Sequence, residues 1–203
     1  MYNREQLNEF AKEFMAPRLE RNIKKLQQSI ARDGAGIKRD LLSCMDNLFK
    51  KCICQQEADK QPIRYVHFFY LRLSVLIQQY DIQVNAFSEQ SYMDDVETMV
   101  LWNPDFIMRY YEEDMEMIGQ EAGKQLIRFG YPQLMELRER SFAIYAMLTG
   151  QYLMSVSGDI AGLESFHEMK KTDDIQIIFG GYMDKGIQIW PLPAQEGAKQ
   201  SLW

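Results

Sequence analysis

Apolar side chains recur every three or four residues over the first quarter of the chain, which is the spacing of one face of an α-helix. Three consecutive helices are predicted, with apolar faces at Leu7, Phe10 and Phe14, at Leu19, Ile23, Leu26 and Ile30, and at Ile37, Leu41, Met45, Leu48 and Cys52. Pro17 interrupts or restarts the first helix. Gly34 and Gly36 are expected to end the second helix, because glycine often follows the last helical turn.

Residues 63–80, IRYVHFFYLRLSVLIQQY, are apolar on nearly every side. This pattern predicts a central helix that begins after Pro62 and is surrounded by other helices. The segment SYMDDVETMVLW then predicts a short helix that Ser91 opens, with Asp94 and Asp95 in the first turn.

Two further long helices are indicated by proline near their starts. One begins at Asn103 and Pro104 and runs to Phe129, with Gly130 as its stop. Pro132 opens the next helix, and a shorter helix is predicted over residues 159–169.

The period of the pattern changes near the C-terminus. Ile175 and Ile177 alternate with polar residues, as do Ile187 and Ile189, and the turn-forming segment 183–186 separates the two runs. A two-stranded hairpin at about 174–191 is therefore predicted. Because an isolated hairpin is marginally stable in water, it must pack on the helices or pair with a hairpin of a partner chain.

The predicted fold class is mainly α, an all-alpha helical bundle in one domain over residues 1–193 with a short C-terminal antiparallel β-hairpin. Residues 194–203 are expected to form a loose tail. The 203 residues, 46% of them apolar, are enough for one core.

Three observations predict a cytoplasmic location. The N-terminal segment carries charges every few residues, unlike a secretory signal peptide. The apolar stretch 63–77 contains Arg64, His67 and Arg72 and is shorter than the roughly 20 apolar residues of a membrane span. Three cysteines cannot all pair within the chain, and 13 methionines are a liability in an oxidising compartment. The thiols are expected to be reduced.

Charge is distributed unevenly along this acidic chain, whose net charge is −6. Residues 18–39 carry seven basic and two acidic side chains, and one helix side presents Arg18, Arg21, Lys25 and Arg32. Residues 89–121 carry ten acidic side chains and one basic one, and the densest acidic run includes Glu112, Glu113 and Glu116.

These two charged helices are candidate partner-binding sites. The basic helix of one copy is expected to meet the acidic helix of another in a homodimer. Glu112 and Glu116 share a helix face and are also candidate ligands of a divalent cation. The alternative for both helices is an ordinary solvated surface.

The sequence signals for a metal site are weak, and neither a metal site nor a cofactor is predicted. The cysteine spacing at Cys44, Cys52 and Cys54 does not match structural zinc sites. Glu164 and His167 form one E-x-x-H half-motif, whereas a di-iron bundle requires two. Glycine-rich phosphate loops and the motifs of common hydrolases are absent from the sequence.

Three functions are therefore considered, with a non-enzymatic role favoured. The first is an intracellular helical interaction protein, acting as an adaptor, a regulator or an assembly subunit through protein–protein contacts. The second is a small-ligand-binding protein or enzyme with an inter-helix pocket that includes Tyr110, Tyr111, Glu164 and His167. The third is a nucleic-acid accessory factor that uses the basic helix 18–39, although the net charge argues against it.

Overall fold

The structure is a computed structural model that describes residues 4–71 and 73–192. It is 63% helical and contains a five-stranded mixed sheet. The helices are α1 (Arg4–Phe10), α2 (Ala16–Glu57), α3 (Ser74–Ile77), α4 (Asp105–Gln125), α5 (Tyr131–Ala161) and α6 (Glu164–Glu168). The strands are β1 (Ile63–Tyr70), β2 (Ile82–Phe87), β3 (Met99–Trp102), β4 (Lys171–Gly181) and β5 (Ile187–Trp190). A π-helical turn (Ala11–Met15) joins α1 to α2, and a 3₁₀ turn (Ser91–Met93) precedes β3.

The predicted all-alpha helical bundle is wrong, because the strands are not confined to a C-terminal hairpin. The order in the sheet is β3-β2-β1-β4-β5, with β1 parallel to β4 and the other three pairs antiparallel. A parallel pair needs a long connection rather than a tight turn. Helices α4, α5 and α6 all lie in the chain between β1 and β4, so the helices and the sheet are interleaved in one unit.

The helix predicted over residues 63–80 is replaced by β1, the short helix α3 and a loop. Val66 and Phe68 are fully buried on the helix-facing side of β1, and Phe69 is 3% exposed on the opposite side. A strand that is covered on both faces shows no alternation of apolar and polar residues. Periodicity alone therefore did not separate this strand from a buried helix.

The short helix predicted from Ser91 is also wrong. Only the 3₁₀ turn Ser91–Met93 is helical, and Met99–Trp102 forms β3. Helix α2 covers the outer edge of β3, where Cys44 Sγ donates to the carbonyl of Leu101 at 3.4 Å and Lys51 Nζ to that of Met99 at 3.2 Å. These contacts satisfy backbone groups that an edge strand otherwise leaves open.

The helix boundary predicted at Gly34 and Gly36 takes the form of a kink rather than an end, because α2 continues through both glycines. The chain bends at Asp33, whose φ of −129° and ψ of 22° are not helical. Leu26 before the bend and Leu41 after it are both buried. Packing of this apolar face keeps the two segments in one long helix, since tertiary contacts outweigh the weak helix propensity of glycine.

The helices predicted after Pro104 and around Pro132 are confirmed, with shifted ends. Helix α4 ends at Gln125 rather than at Phe129, and α5 continues to Ala161. The side chain of Gln133 accepts a hydrogen bond of 2.9 Å from the backbone N–H of Gly130, which fixes the start of α5.

The predicted pairing of two C-terminal strands is confirmed for β4 and β5. Their turn includes Met183, which has a φ of 59°, and Gly186, where a Cβ atom would lie 2.3 Å from Cγ2 of Ile178. Strand β4 also pairs with β1, from Tyr65 opposite Gln176 to Tyr70 opposite Gly181. The predicted tail 194–203 lies outside the described residues.

The core lies between one face of the sheet and the long helices. The sheet contributes Ile82, Val84 and Ala86 from β2 and Ile175, Ile177 and Phe179 from β4. Within residues 4–71 and 73–192, no helix is both long enough and apolar enough to cross a membrane.

Candidate functional site

The predicted basic and acidic helices meet within one chain, as parts of α2 and α4. Arg18 Nε lies 3.0 Å from Asp114 Oδ1, and Lys25 Nζ lies 3.8 Å from Glu113 Oε2. Arg21 and Arg32 remain exposed on α2, as does Glu116 on α4. Arg18, Lys25 and Glu113 therefore have charged partners within one chain, and the homodimer stays a prediction that would have to use the exposed charges.

Glu112 belongs to a polar cluster rather than to a solvated acidic face. The guanidinium of Arg138, a residue only 5% exposed, donates to Glu112 and, at 3.1 Å, to the hydroxyl of Tyr80. Tyr80 in turn donates to Glu112. Burial raises the pKa of Tyr80, and the hydrogen bond to Glu112 raises it further. This cluster joins α4, α5 and the segment before β2. The carboxylate of Glu112, a candidate cation ligand, therefore already accepts hydrogen bonds from Arg138 and Tyr80.

The four residues of the predicted inter-helix pocket lie in two separate clusters. Tyr111 is fully buried on α4, where its ring packs against Tyr145 and its hydroxyl donates to the carbonyl of Arg138 at 2.9 Å. His167 is exposed on α6 and packs on the ring of Phe166. The other two members are Tyr110 on α4 and Glu164 on α6.

The cysteines are unpaired, with Cys52 buried, Cys44 partly buried and Cys54 exposed. Burial raises the pKa of Cys52 to about 12 and also raises the pKa of Cys44. Within the described part of the chain, no group of three or more His, Cys, Asp or Glu side chains could hold a metal ion.

Four aliphatic side chains are exposed in and around α3. Their exposed fractions are 37% for Leu71, 55% for Leu73, 49% for Leu76 and 52% for Ile77. Scattered single apolar residues are common on protein surfaces, whereas a concentration of them marks an interaction site or an aggregation liability.

A cavity of about 310 Å³ lies beside these side chains. It is lined by Tyr70, Val75, Glu139, Phe142 and Ala143. Tyr70 and Val75 of the cavity lining are neighbours in the chain of Leu71 and Leu76, so we consider the cavity together with the four exposed side chains. We call this set the α3 surface, comprising Leu71, Leu73, Leu76, Ile77 and the cavity.

The face of the sheet that points away from the helices carries an aromatic cluster. His67 contacts the rings of Tyr65, Phe69, Phe87 and Tyr92, with centroid distances of 5.0–6.1 Å. Both ring nitrogens of His67 are buried without a hydrogen-bond partner, and burial lowers its pKa to about 4. The imidazole is therefore neutral at pH 7.

A small cleft lies beside this cluster, between β2 and the loop 88–98. Its volume is about 220 Å³, and its lining residues are Gln83, Asn85, Phe87, Tyr92, Asp94, Glu97 and Tyr182. We call this set the aromatic cleft. Polar and aromatic groups from three parts of the chain converge in it, which is typical of small-ligand sites.

Sequence reasoning missed the α3 surface because it assigned residues 63–80 to a buried helix. It missed the aromatic cleft because it predicted a short helix from Ser91 and no strand at β2. The run YVHFFY is rich in aromatic residues and valine, a composition that favours strands. That signal, together with its short length, could have placed β1.

Comparison of the chain with known protein families, with curated protein sequences and with solved structures finds no match in any of the three.

Proposed function

We propose that this protein is a cytoplasmic, non-enzymatic interaction protein, an adaptor, regulator or assembly subunit, that binds another protein through the α3 surface. The observation that carries the proposal is the exposure of four aliphatic side chains within residues 71–77, next to an apolar cavity. Covering such side chains removes apolar area from water, which is the main favourable contribution to most protein associations.

The cavity suggests how the partner is recognised. Binding energy at interfaces is concentrated in a few large side chains that fill well-packed pockets. Phe142, Val75 and Tyr70 offer such a pocket for one apolar anchor, and Glu139 adds a carboxylate at its lining. We therefore expect a partner segment with a large apolar side chain next to a lysine or arginine.

The two alternative functions have less support. Two of the four predicted basic contacts, Arg18 and Lys25, pair with acidic residues of α4, so nucleic acid would have to compete with these carboxylates. The residues of the predicted inter-helix pocket are divided between α4 and α6. Both alternatives remain predictions.

Site-specific photo-crosslinking tests the proposal. A photoreactive amino acid replaces Leu76 on the α3 surface or, as a control, Ile127, which is 85% exposed in the connection between α4 and α5. Crosslinking in cells that produce the protein naturally is expected to give a discrete adduct at position 76 and none at 127. Mass spectrometry identifies the partner, and a second copy of the chain would be recognised by its own peptides.

Two variants make the test specific. Leu73→Ser and Ile77→Ser, each combined with the probe at position 76, are expected to reduce the adduct because they remove neighbouring apolar contacts. Identical adducts at positions 76 and 127, or an adduct that survives both substitutions, would contradict the proposal.

A further inference from the structure

Hydrogen bonds and an ion pair fix the loop 88–98, which forms one side of the aromatic cleft. The carboxylate of Asp94 accepts hydrogen bonds from the backbone N–H of Ser88 at 2.6 Å and from its hydroxyl at 2.5 Å. Lys60, only 5% exposed, lies 3.6 Å from the same carboxylate and donates to the carbonyl of Val96 at 2.5 Å. The charge of Asp94 is thus balanced, and the wall of the cleft is preorganised.

A chain of polar side chains forms the floor of the cleft. Gln83 Nε2 donates to Asn85 Oδ1 at 2.8 Å, and Asn85 Nδ2 donates to Glu97 Oε1 at 3.2 Å. Because a carboxylate only accepts hydrogen bonds, the Asn85 amide must turn its nitrogen to Glu97 and its oxygen to Gln83. Asn85 is 2% exposed, so this orientation is set inside the protein.

The series of hydrogen bonds from Gln83 through Asn85 ends at the negatively charged carboxylate of Glu97. Within the described ranges 4–71 and 73–192, the carboxylate of Glu97 has a hydrogen bond from Asn85 and no ion-pair partner. Glu97 is itself exposed, so its second oxygen is available to a ligand. A cationic group is the natural counterpart of such a carboxylate, whereas an anionic ligand would be repelled.

Aromatic rings supply the other wall. The ring centroids of Phe87 and Tyr92 are 5.3 Å apart, and those of Tyr92 and Tyr182 are 5.8 Å apart. Tyr92 and Tyr182 are 41% and 46% exposed, so parts of their rings are open to solvent. The face of an aromatic ring carries negative potential and attracts cations, including quaternary ammonium groups.

We propose that the aromatic cleft binds a small alkylated ammonium group, with Glu97 opposite the positive charge and the rings of Phe87, Tyr92 and Tyr182 against the alkyl substituents. The volume of about 220 Å³ is below the range of about 300–1,000 Å³ typical of drug-sized ligands, so the bound group is small. The group belongs either to a free molecule such as choline or to a methylated lysine side chain. This site is independent of the α3 surface.

Isothermal titration of the full chain with choline tests the charge requirement. The matched ligand is 3,3-dimethylbutan-1-ol, which has the same shape but carries carbon in place of the charged nitrogen. Choline is expected to bind at least about fivefold more tightly than the alcohol, because only the cation gains from the rings and the carboxylate. A peptide with trimethyllysine is titrated in parallel, and the tighter of the two cations identifies the source of the group.

Two substitutions in the same loop locate the site. Glu97→Gln is expected to weaken choline binding at least about fivefold, because it removes the unpaired charge. Asp95→Asn is the control, since Asp95 is exposed in the same loop, carries the same charge and does not line the cleft. It is expected to change the affinity less than about twofold.

The side-chain amide signals of Asn85 give a readout that does not depend on affinity alone. They are expected to shift in the NMR spectrum when choline is added, because Asn85 is buried beside the proposed position of the cation. Equal affinity for choline and the alcohol, equal effects of the two substitutions, or no binding of either cation up to about 10 mM would overturn the proposal.

Discussion

Arg18 and Asp114 lie 96 positions apart in the sequence, and the Nε of the arginine is 3.0 Å from the Oδ1 of the aspartate. The other carboxylate oxygen accepts a hydrogen bond of 2.5 Å from the hydroxyl of Tyr145. The Asp114 side chain is 5% exposed and that of Arg18 is 19% exposed. One buried carboxylate therefore connects α2, α4 and α5.

A double-mutant cycle with Arg18→Ala and Asp114→Ala is expected to give a coupling energy of about 1–3 kcal/mol, since the two groups interact away from water. Urea unfolding of the four proteins measures it. Lys25 and Glu113 join the same two helices, but their side chains are 50% and 55% exposed. Their cycle is the control and is expected to give less than about 0.5 kcal/mol. Equal couplings would contradict this account of the buried pair.

Gly150 allows close packing of α5 against the sheet, and Gly150→Ala is expected to destabilise the protein. An added Cβ would lie 2.9 Å from Cδ1 of Phe179 and 3.3 Å from Cδ1 of Ile187. We expect a loss of about 1–3 kcal/mol in the free energy of unfolding, as in other overpacked cores. In the same helix, a Cβ at Gly158 would meet nothing within 4 Å.

Gly158→Ala is therefore the matched control, and it is expected to raise the free energy of unfolding by up to about 1 kcal/mol through helix propensity. Thermal and urea unfolding measure both variants. A gain in stability for both substitutions would show that β4 and β5 do not pack against α5 at Gly150.

His67 is expected to make the protein sensitive to mild acid. Its pKa is lowered by burial from 6.5 to about 4 in the folded state. The unfolded chain therefore binds the proton more tightly, and the free energy of unfolding falls as the pH drops from 6.5 towards 4. In His67→Phe, this part of the pH dependence disappears. Stability at pH 7 is expected to rise by about 1 kcal/mol, because two buried nitrogens without partners are removed.

The measurement is urea unfolding at a series of pH values between 4 and 7. His167→Phe serves as the control because it removes the other histidine, which is exposed on α6. If the free energy of unfolding depended on pH in the same way in the wild-type protein and in His67→Phe, the acid sensitivity would not come from His67.

The three cysteines are expected to react with iodoacetamide in a fixed order. Cys54 is exposed and should react first, and Cys52 should react only after unfolding, because it is fully buried and its pKa is raised to about 12 by burial. Cys44 should be intermediate, since burial raises its pKa and its Sγ donates to Leu101. Mass spectrometry follows each site at pH 8, and Cys54→Ser should remove the fast phase. Rapid modification of native Cys52 would refute this order.

Part of the fold was predictable from local signals. Proline near the helix start located α4 and α5, and the alternation around the turn at Gly186 located β4 and β5. These signals act within a few residues, so they do not depend on the rest of the chain. Residues 63–70 were assigned wrongly because a strand covered on both faces has the same apolar content as a buried helix. Residues 99–102 were assigned to the short helix predicted from Ser91, whereas they form β3, which pairs with β2.

The candidate sites were less predictable than the fold. The charge runs on α2 and α4 were visible in the sequence, but their pairing with one another depends on how the two helices pack. The α3 surface and the aromatic cleft each combine segments that are distant in the chain. Tyr92 and Tyr182, for example, lie 90 positions apart and their ring centroids are 5.8 Å apart.

Helices α4 and α5, the C-terminal strand pair, the acidic net charge and the odd number of cysteines can all be read from the amino-acid sequence. These properties follow from composition and from contacts between near neighbours. Three other features became visible only in the folded chain: β1 is the central strand of a mixed sheet, Arg18 pairs with Asp114, and Glu97 lines a cleft with Phe87, Tyr92 and Tyr182. Burial and charge pairing depend on residues far apart in the sequence, and the packing of the whole chain sets how closely these residues approach one another.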